Sequence, residues 1–123
     1  WKFAMFHFAP YNWEEPYPDI QAAWVPLFDK YHVDMVMNVH IHYYMRSMPM
    51  KGGKVVSSYK EGTAYVESIG IPTKPEKQPE ESYAAVRNFN GDIYQYVKIE
   101  GNKLSFTAVN SGNKIIDSFT IEK

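Results

Sequence analysis

The chain has 123 residues, 45% hydrophobic and 16% aromatic, enough apolar content for one domain with a packed core and too much for a disordered segment. Thirteen Lys and Arg against 14 Asp and Glu leave a net charge of -1, which offers no general attraction to nucleic acid or an anionic membrane. There is no cysteine, so disulfides and thiolate ligands are excluded and any metal must be held by nitrogen and oxygen.

Residues 2–8 form a near-continuous apolar run ending in His7 and Phe8, the pattern of a strand covered on both faces, and Ala9, Pro10 and Tyr11 then turn the chain. A buried strand with no polar lead-in reads as a piece of something longer. With Asp19 as N-cap, Ile20, Ala23, Trp24, Leu27, Phe28 and Tyr31 follow offsets of three and four and predict one apolar helix face. Pro26 inside that pattern predicts a kink or a break. Residues 33–38 are a second short apolar run and read as another buried strand. Strand, helix and strand in this spacing make a βαβ unit with parallel strands, so the chain leaves both at the same sheet edge.

Residues 55–59 and 63–68 flank Lys60-Glu61-Gly62 and read as a hairpin. Residues 70–81 carry Pro72, Pro75 and Pro79 among Lys, Glu and Gln and read as a polar loop or linker. Residues 93–100, 103–109 and 114–122, punctuated by Gly101-Asn102 and Ser111-Gly112-Asn113, predict an antiparallel meander. The fold class is α/β, α+β by content: one βαβ unit followed by hairpins and the meander. No apolar run approaches the ~20 residues of a membrane span.

The chemistry gathers at one edge. His7 lies at the end of the first strand, with His40 and His42 just beyond the second, where open α/β sheets bind ligands and where imidazole is a common metal ligand. In an extended segment two residues apart share a face about 7 Å apart, which suits two imidazoles on one metal or on adjacent metals. Three imidazoles also suffice for a single catalytic zinc, and the plainer alternative is a set of hydrogen-bonded histidines at a sheet edge. His32 falls at the opposite edge and reads as structural or solvent-exposed. Arg46 follows the pair by four residues, as a clamp for phosphate or carboxylate or as the partner of a surface acid. Tyr11, Tyr43 and Tyr44 read as packing residues, and Met35, Met37, Met45, Met48 and Met50 as core filler. No Gly-rich phosphate loop, nucleophile elbow or carboxylate pair is present, and no spacing pairs Asp29, Asp34 or Asp117.

Taken together, residues 1–11, the segment Ala23-Trp24-Val25-Pro26-Leu27-Phe28-Asp29-Lys30-Tyr31, the strand with Asn38-Val39-His40-Ile41-His42-Tyr43-Tyr44-Met45-Arg46, and residues 63–66 resemble the C-terminal half of a calcineurin-like metallophosphoesterase, in its purple acid phosphatase branch. The closing Ile115-Ile116-Asp117-Ser118-Phe119-Thr120-Ile121 resembles that branch's C-terminal β extension. The resemblance implies a β-sandwich flanked by helices, divided into residues 1–70, a loop at 71–81 and a β extension at 82–123. It further implies hydrolysis of a phosphate ester by a pair of divalent or trivalent metals (Fe, Zn or Mn), with His7 and His40 on one metal and His42 on the other, and an extracytoplasmic setting, secreted or periplasmic. Arg46 matches a family position.

The chain departs from that pattern in several places. The family blocks that supply Asp ligands, a bridging Asp and an Asn with a neighbouring His have no counterpart. Val39 replaces a Gly, Ile41 and Met45 stand where acids are frequent, and Phe8 stands where many bacterial members have a second His. The usual glycine-rich stretch is here Ser68-Ile69-Gly70-Ile71-Pro72. The expectation is therefore part of a phosphoric ester hydrolase, inactive alone, whose partner is a missing N-terminal half or an equivalent surface. The alternative is an inactive binding or scaffold module of the same fold.

Overall fold

In the computed structural model, which describes residues 1–12, 17–68, 79–90 and 92–123, the chain begins with the expected βαβ unit. Strand β1 (Phe3–Phe8) leads to helix α1 (Pro18–Tyr31) and then to β2 (Met35–Val39), which pairs parallel with β1 from Phe3↔Met35 to Phe8↔Val39. Pro18 occupies the first turn of the helix, where its fixed φ is pre-organised, so Tyr17 is the N-cap and Asp19, expected there, lies in the first turn. The helix continues through Pro26, so of the expected kink or break the break does not occur. Pro26 and Ala22, whose carbonyl loses its partner to the ring, both lie on the exposed side, where water can satisfy that oxygen. His32 ends the helix in a left-handed conformation.

The expected hairpin of residues 55–59 and 63–68 does not form. Instead β3 (Tyr44–Ser47) is followed by a small hairpin, β4 (Met50–Lys51) and β5 (Lys54–Val55), turned by Gly52 and Gly53 at φ 57° and 73°. The Gly52 amide donates to Asp29 Oδ2 at 2.8 Å. Strand β6 (Ala64–Glu67) inserts between β2, to which it is parallel, and β3, to which it is antiparallel. All four residues of β6 are buried, so a central position that covers both faces suits it better than a hairpin edge. Strand β7 (Ala84–Asn88) pairs with β3 and completes a five-stranded sheet of order β1-β2-β6-β3-β7. Most of the Pro-rich segment at 70–81 lies outside the described residues.

The meander forms as expected from β8 (Ile93–Glu100), β9 (Lys103–Asn110) and β10 (Ile115–Glu122), in the order β10-β9-β8. Its inward residues Ile93, Leu104, Phe106, Ala108 and Ile121 pack on Met35, Tyr44, Ala64 and Val66 of the first sheet. On the opposite face Val25 and Phe28 of α1 pack with Tyr11, Val36, Met50 and Tyr65. Each such buried side chain contributes roughly 1.5–3 kcal/mol. The result is three layers: helix, five-stranded sheet, three-stranded sheet.

Two expectations about burial are corrected. Of the predicted helix face only Phe28 is buried, with Val25 beside it; Trp24 (49%), Leu27 (48%) and Tyr31 (55%) stay exposed. Strand β1 is not covered on both faces either. It is an edge strand whose Ala4 and Phe6 face the helix, while Phe3 (40%) and Met5 (75%) face outward. The meander's position explains this. β10 lies over β3, where Asp117 meets Tyr44 and Arg46, and β8 lies toward β1, where Trp1 Nε1 donates to the Gly101 carbonyl at 3.1 Å. Two edges that pair with no further strand among the described residues, β1 and β8, thus lie on one flank, where a slot of about 330 Å³ lined by Met5, Met37, Val39 and Val66 reaches His7.

Candidate metal centre

Parallel pairing of β1 with β2 carries their C-terminal ends to one edge, and there two of the three singled-out histidines meet. His7 Nε2 and His40 Nδ1 are hydrogen-bonded at 3.0 Å, as the plainer alternative of hydrogen-bonded histidines has it, with ring centroids at 4.9 Å and planes at 63°. The Phe8 ring lies edge-on to both imidazoles, 4.7 Å from each, and Tyr17 stands 6.1 Å from His40. This aromatic wedge sets both ring orientations. Two nitrogens on one tetrahedral zinc, each at ~2.05 Å, stand ~3.3 Å apart, close to the observed spacing, and a shared divalent metal would take the place of the proton between them once both lone pairs turned toward it.

His42 does not follow the extended geometry that would set it beside His40. The chain bends at residues 40–43, and His40 itself has φ 101°, a conformation that strains any residue with a Cβ by roughly 1–3 kcal/mol. Alternation of faces is lost at that bend, and among the described residues no three His, Asp or Glu side chains are grouped to hold a metal. Val39, which stands where the family pattern has Gly, remains in β2, and His40 takes the left-handed conformation.

The bend is fastened from beneath. The Ile41 amide donates to Glu67 Oε1 at 3.3 Å, the Ile41 carbonyl accepts the Tyr43 amide at 2.9 Å, and the Ile41 side chain is buried with Tyr43 and Met45. Asn38 ties the same end of the sheet, its Nδ2 donating to the Phe6 carbonyl at 2.9 Å. Glu67 is 1% exposed, and its Oε2 has no partner. Burial pushes its carboxyl up to about 9; the Ile41 amide opposes this, and the nearby Glu81 charge adds to it. Glu67 thus carries a proton at neutral pH. Glu81 in turn accepts the Tyr43 hydroxyl at 3.0 Å and the Tyr83 hydroxyl at 2.8 Å. Glu67 escaped the reading from sequence; the available signal was one acid in an otherwise apolar, fully buried strand.

Arg46 is engaged elsewhere. Its guanidinium meets Asp117 through Nε–Oδ2 at 2.6 Å and Nη2–Oδ1 at 3.0 Å, donates to the Tyr59 hydroxyl at 2.5 Å, and lies 4.5 Å from the Phe119 ring centre. The Tyr44 hydroxyl donates to the same Asp117 Oδ2 at 2.7 Å. Burial acts to raise the Asp117 pKa, but the hydrogen bonds from Arg46 and Tyr44 outweigh it and hold the carboxyl below its ordinary value. Asp117, unpaired by sequence spacing, is the acid that Arg46 serves. Tyr43, Tyr44, Met35, Met45 and Met50 are core residues as read, and Met37 packs against the core.

No protein-family model matches the chain. Two proteins of Mycobacterium tuberculosis, uncharacterized protein MT2654 of strain CDC 1551 and uncharacterized protein Rv2577 of strain H37Rv, are each 52% identical to it over 33 residues, 27% of this chain and 6% of theirs. The solved structure of purple acid phosphatase PPD1 from yellow lupin (Lupinus luteus) seeds superposes with a TM-score of 0.72 at 18% identity, over 99% of this chain and 25% of that one. The chain therefore spans a small part of the relatives and about a quarter of the solved structure it matches. Its mixed α+β architecture is the fold of that portion of a purple acid phosphatase, a metallophosphoesterase-like fold.

Proposed function

We propose that this chain is part of a metal-dependent phosphoric ester hydrolase of the purple acid phosphatase kind, and that His7 and His40 are ligands to one metal of its centre. The observation that carries the reading is the 3.0 Å approach of His7 Nε2 to His40 Nδ1 at the C-terminal ends of two parallel strands. A metal of the Fe, Zn or Mn class would supply Lewis-acid stabilisation of charge building on the phosphoryl oxygens. The chain's own contribution is positional: Phe8 sets the two imidazoles, the bend at His40 turns its ring toward His7, and His42 is carried two residues further for a second metal. The carboxylate ligands and substrate groups would come from polypeptide packed across the flank of β1 and β8, whose open edges and exposed Phe3 and Met5 suit a continuation of both sheets. An extracytoplasmic setting belongs to the same reading.

Metal content and turnover of an aryl phosphate by the longest natural form test it. Stoichiometric metal is expected, with turnover lost in His40→Ala and His42→Ala; unchanged turnover in both variants would sink the assignment. A second reading, a module that keeps the fold without the chemistry, is motivated by Val39, Ile41, Met45 and Phe8, which stand where the family pattern has Gly, acids and a second His. It requires the longest form to hold no metal and to hydrolyse nothing.

A further inference from the structure

Between the two histidines of the bend lies Ile41, whose backbone amide sits in a buried environment where an unsatisfied donor costs roughly 1–3 kcal/mol. Its acceptor is a side chain from the middle of the sheet, Glu67, which closes β6 and stands between Asn38 of β2 and Met45 of β3. The neighbouring backbone is held as well, because the Ser68 amide donates to the Asn38 carbonyl at 3.1 Å. The one residue of this bend in a left-handed conformation is His40, immediately before the amide that Glu67 receives. A strained residue persists only where its surroundings over-determine it, and the surroundings here include this contact, the burial of Ile41 and the contacts of the His40 ring with His7 and Phe8.

We propose that Glu67 is a positioning residue, a latch that accepts the Ile41 amide and thereby keeps the His40 and His42 imidazoles in their present orientation. The latch rests on the reading of His7 and His40 as ligands for its purpose, though not for its existence. The second carboxyl oxygen, buried without a partner, marks Glu67 as held for this contact: nothing else in its surroundings hydrogen-bonds the group, and a leucine would fill the space more favourably. The role is one of geometry, since Glu67 is covered and its hydrogen bond is with the backbone of the bend.

Amide hydrogen exchange of the 123-residue chain, with Phe106 of the meander as reference, tests the latch. The wild-type Ile41 amide is expected to be protected, Glu67→Leu to exchange it about tenfold faster, and Glu67→Gln, which keeps an acceptor oxygen, to stay within about threefold of wild type. Zinc titration is the second readout: affinity should fall about 10–100-fold in Glu67→Leu and recover in Glu67→Gln. An unprotected Ile41 amide in the wild type, or a folded Glu67→Leu whose Ile41 exchange is unchanged, overturns the proposal. If Glu67→Leu does not fold, Glu67→Gln decides, retained protection supporting the latch and lost protection overturning it. If the wild type binds no zinc, the ligand reading falls while the exchange experiment still judges the latch.

Discussion

Arg46 and Asp117, 71 residues apart in the chain, clasp the two sheets of the sandwich through two hydrogen bonds of 2.6 and 3.0 Å. The contact joins β3 to β10, and with Tyr44 and Tyr59 it forms a closed polar network inside an apolar core. Removing one member leaves the other charge buried and alone. Arg46→Ala is therefore expected to lower unfolding free energy by about 3–5 kcal/mol in a denaturant titration while leaving the spacing of His7 and His40 intact. If Arg46 instead served substrate, the variant would lose activity without losing stability.

The same pair sets an acid limit. The folded-state pKa of Asp117 lies below its ordinary value, so its contribution is fully present above the unfolded pKa of about 3.9 and is lost as pH falls through the folded one. Thermal melts from pH 6 downward should show Asp117→Asn converging on the wild type at the acid end. Parallel curves at all pH values would refute this account.

Glu67 acts in the opposite sense. Its folded pKa, about 9, lies above the unfolded value of about 4.3, so its stabilising share is complete below the unfolded pKa and disappears as pH rises through the folded one. Glu67→Gln removes this titration. The variant should gain stability relative to wild type between pH 5 and 9, measured as the shift in denaturant midpoint, and a constant difference across that window would contradict the raised pKa.

The backbone of His40 gives a comparison that separates strain from chemistry. Both His40→Ala and His40→Gly remove the imidazole, but only glycine adopts φ 101° without a Cβ conflict. His40→Gly should be the more stable of the two by about 1 kcal/mol, with both equally impaired in metal binding. Equal stabilities would mean that the bend carries no strain.

Met5 tests the flank. It is 75% exposed in this chain, so Met5→Lys should change the chain's own stability by no more than about 0.5 kcal/mol. In the longest natural form, where polypeptide is proposed to cover the flank, the same substitution should destabilise by about 2 kcal/mol or more, read from thermal melts of the two lengths. Equal effects in both would leave the flank uncovered.

What could be read from sequence was whatever repeats locally. The βαβ unit and the meander announce themselves in runs and turns, and parallel strands carry His7 and His40 to one edge by topology alone. β3 could not be read, because Tyr44-Met45-Arg46-Ser47 is buried at every position and its polar members are satisfied by residues far along the chain, Arg46 by Asp117 and Ser47 by the Tyr65 amide. The helix face misled for a related reason: Trp24 and Leu27 obey the apolar period yet are exposed, so period alone did not say what they pack against. His42 was placed by a rule for extended chain that a single positive φ at His40 suspends.

The open edge of β1 has a further consequence, for solubility. Phe-Ala-Met-Phe-His-Phe is six residues with no Asp, Glu, Lys, Arg or Pro at an edge of its sheet, and among the described residues neither it nor β8 beside it pairs with a further strand. Such an edge templates the addition of any extended strand, including its own copy. Left uncovered, the surface that suits a metal centre's other half is also where this chain would begin to aggregate, so whatever covers it acts as a gatekeeper as well as a partner.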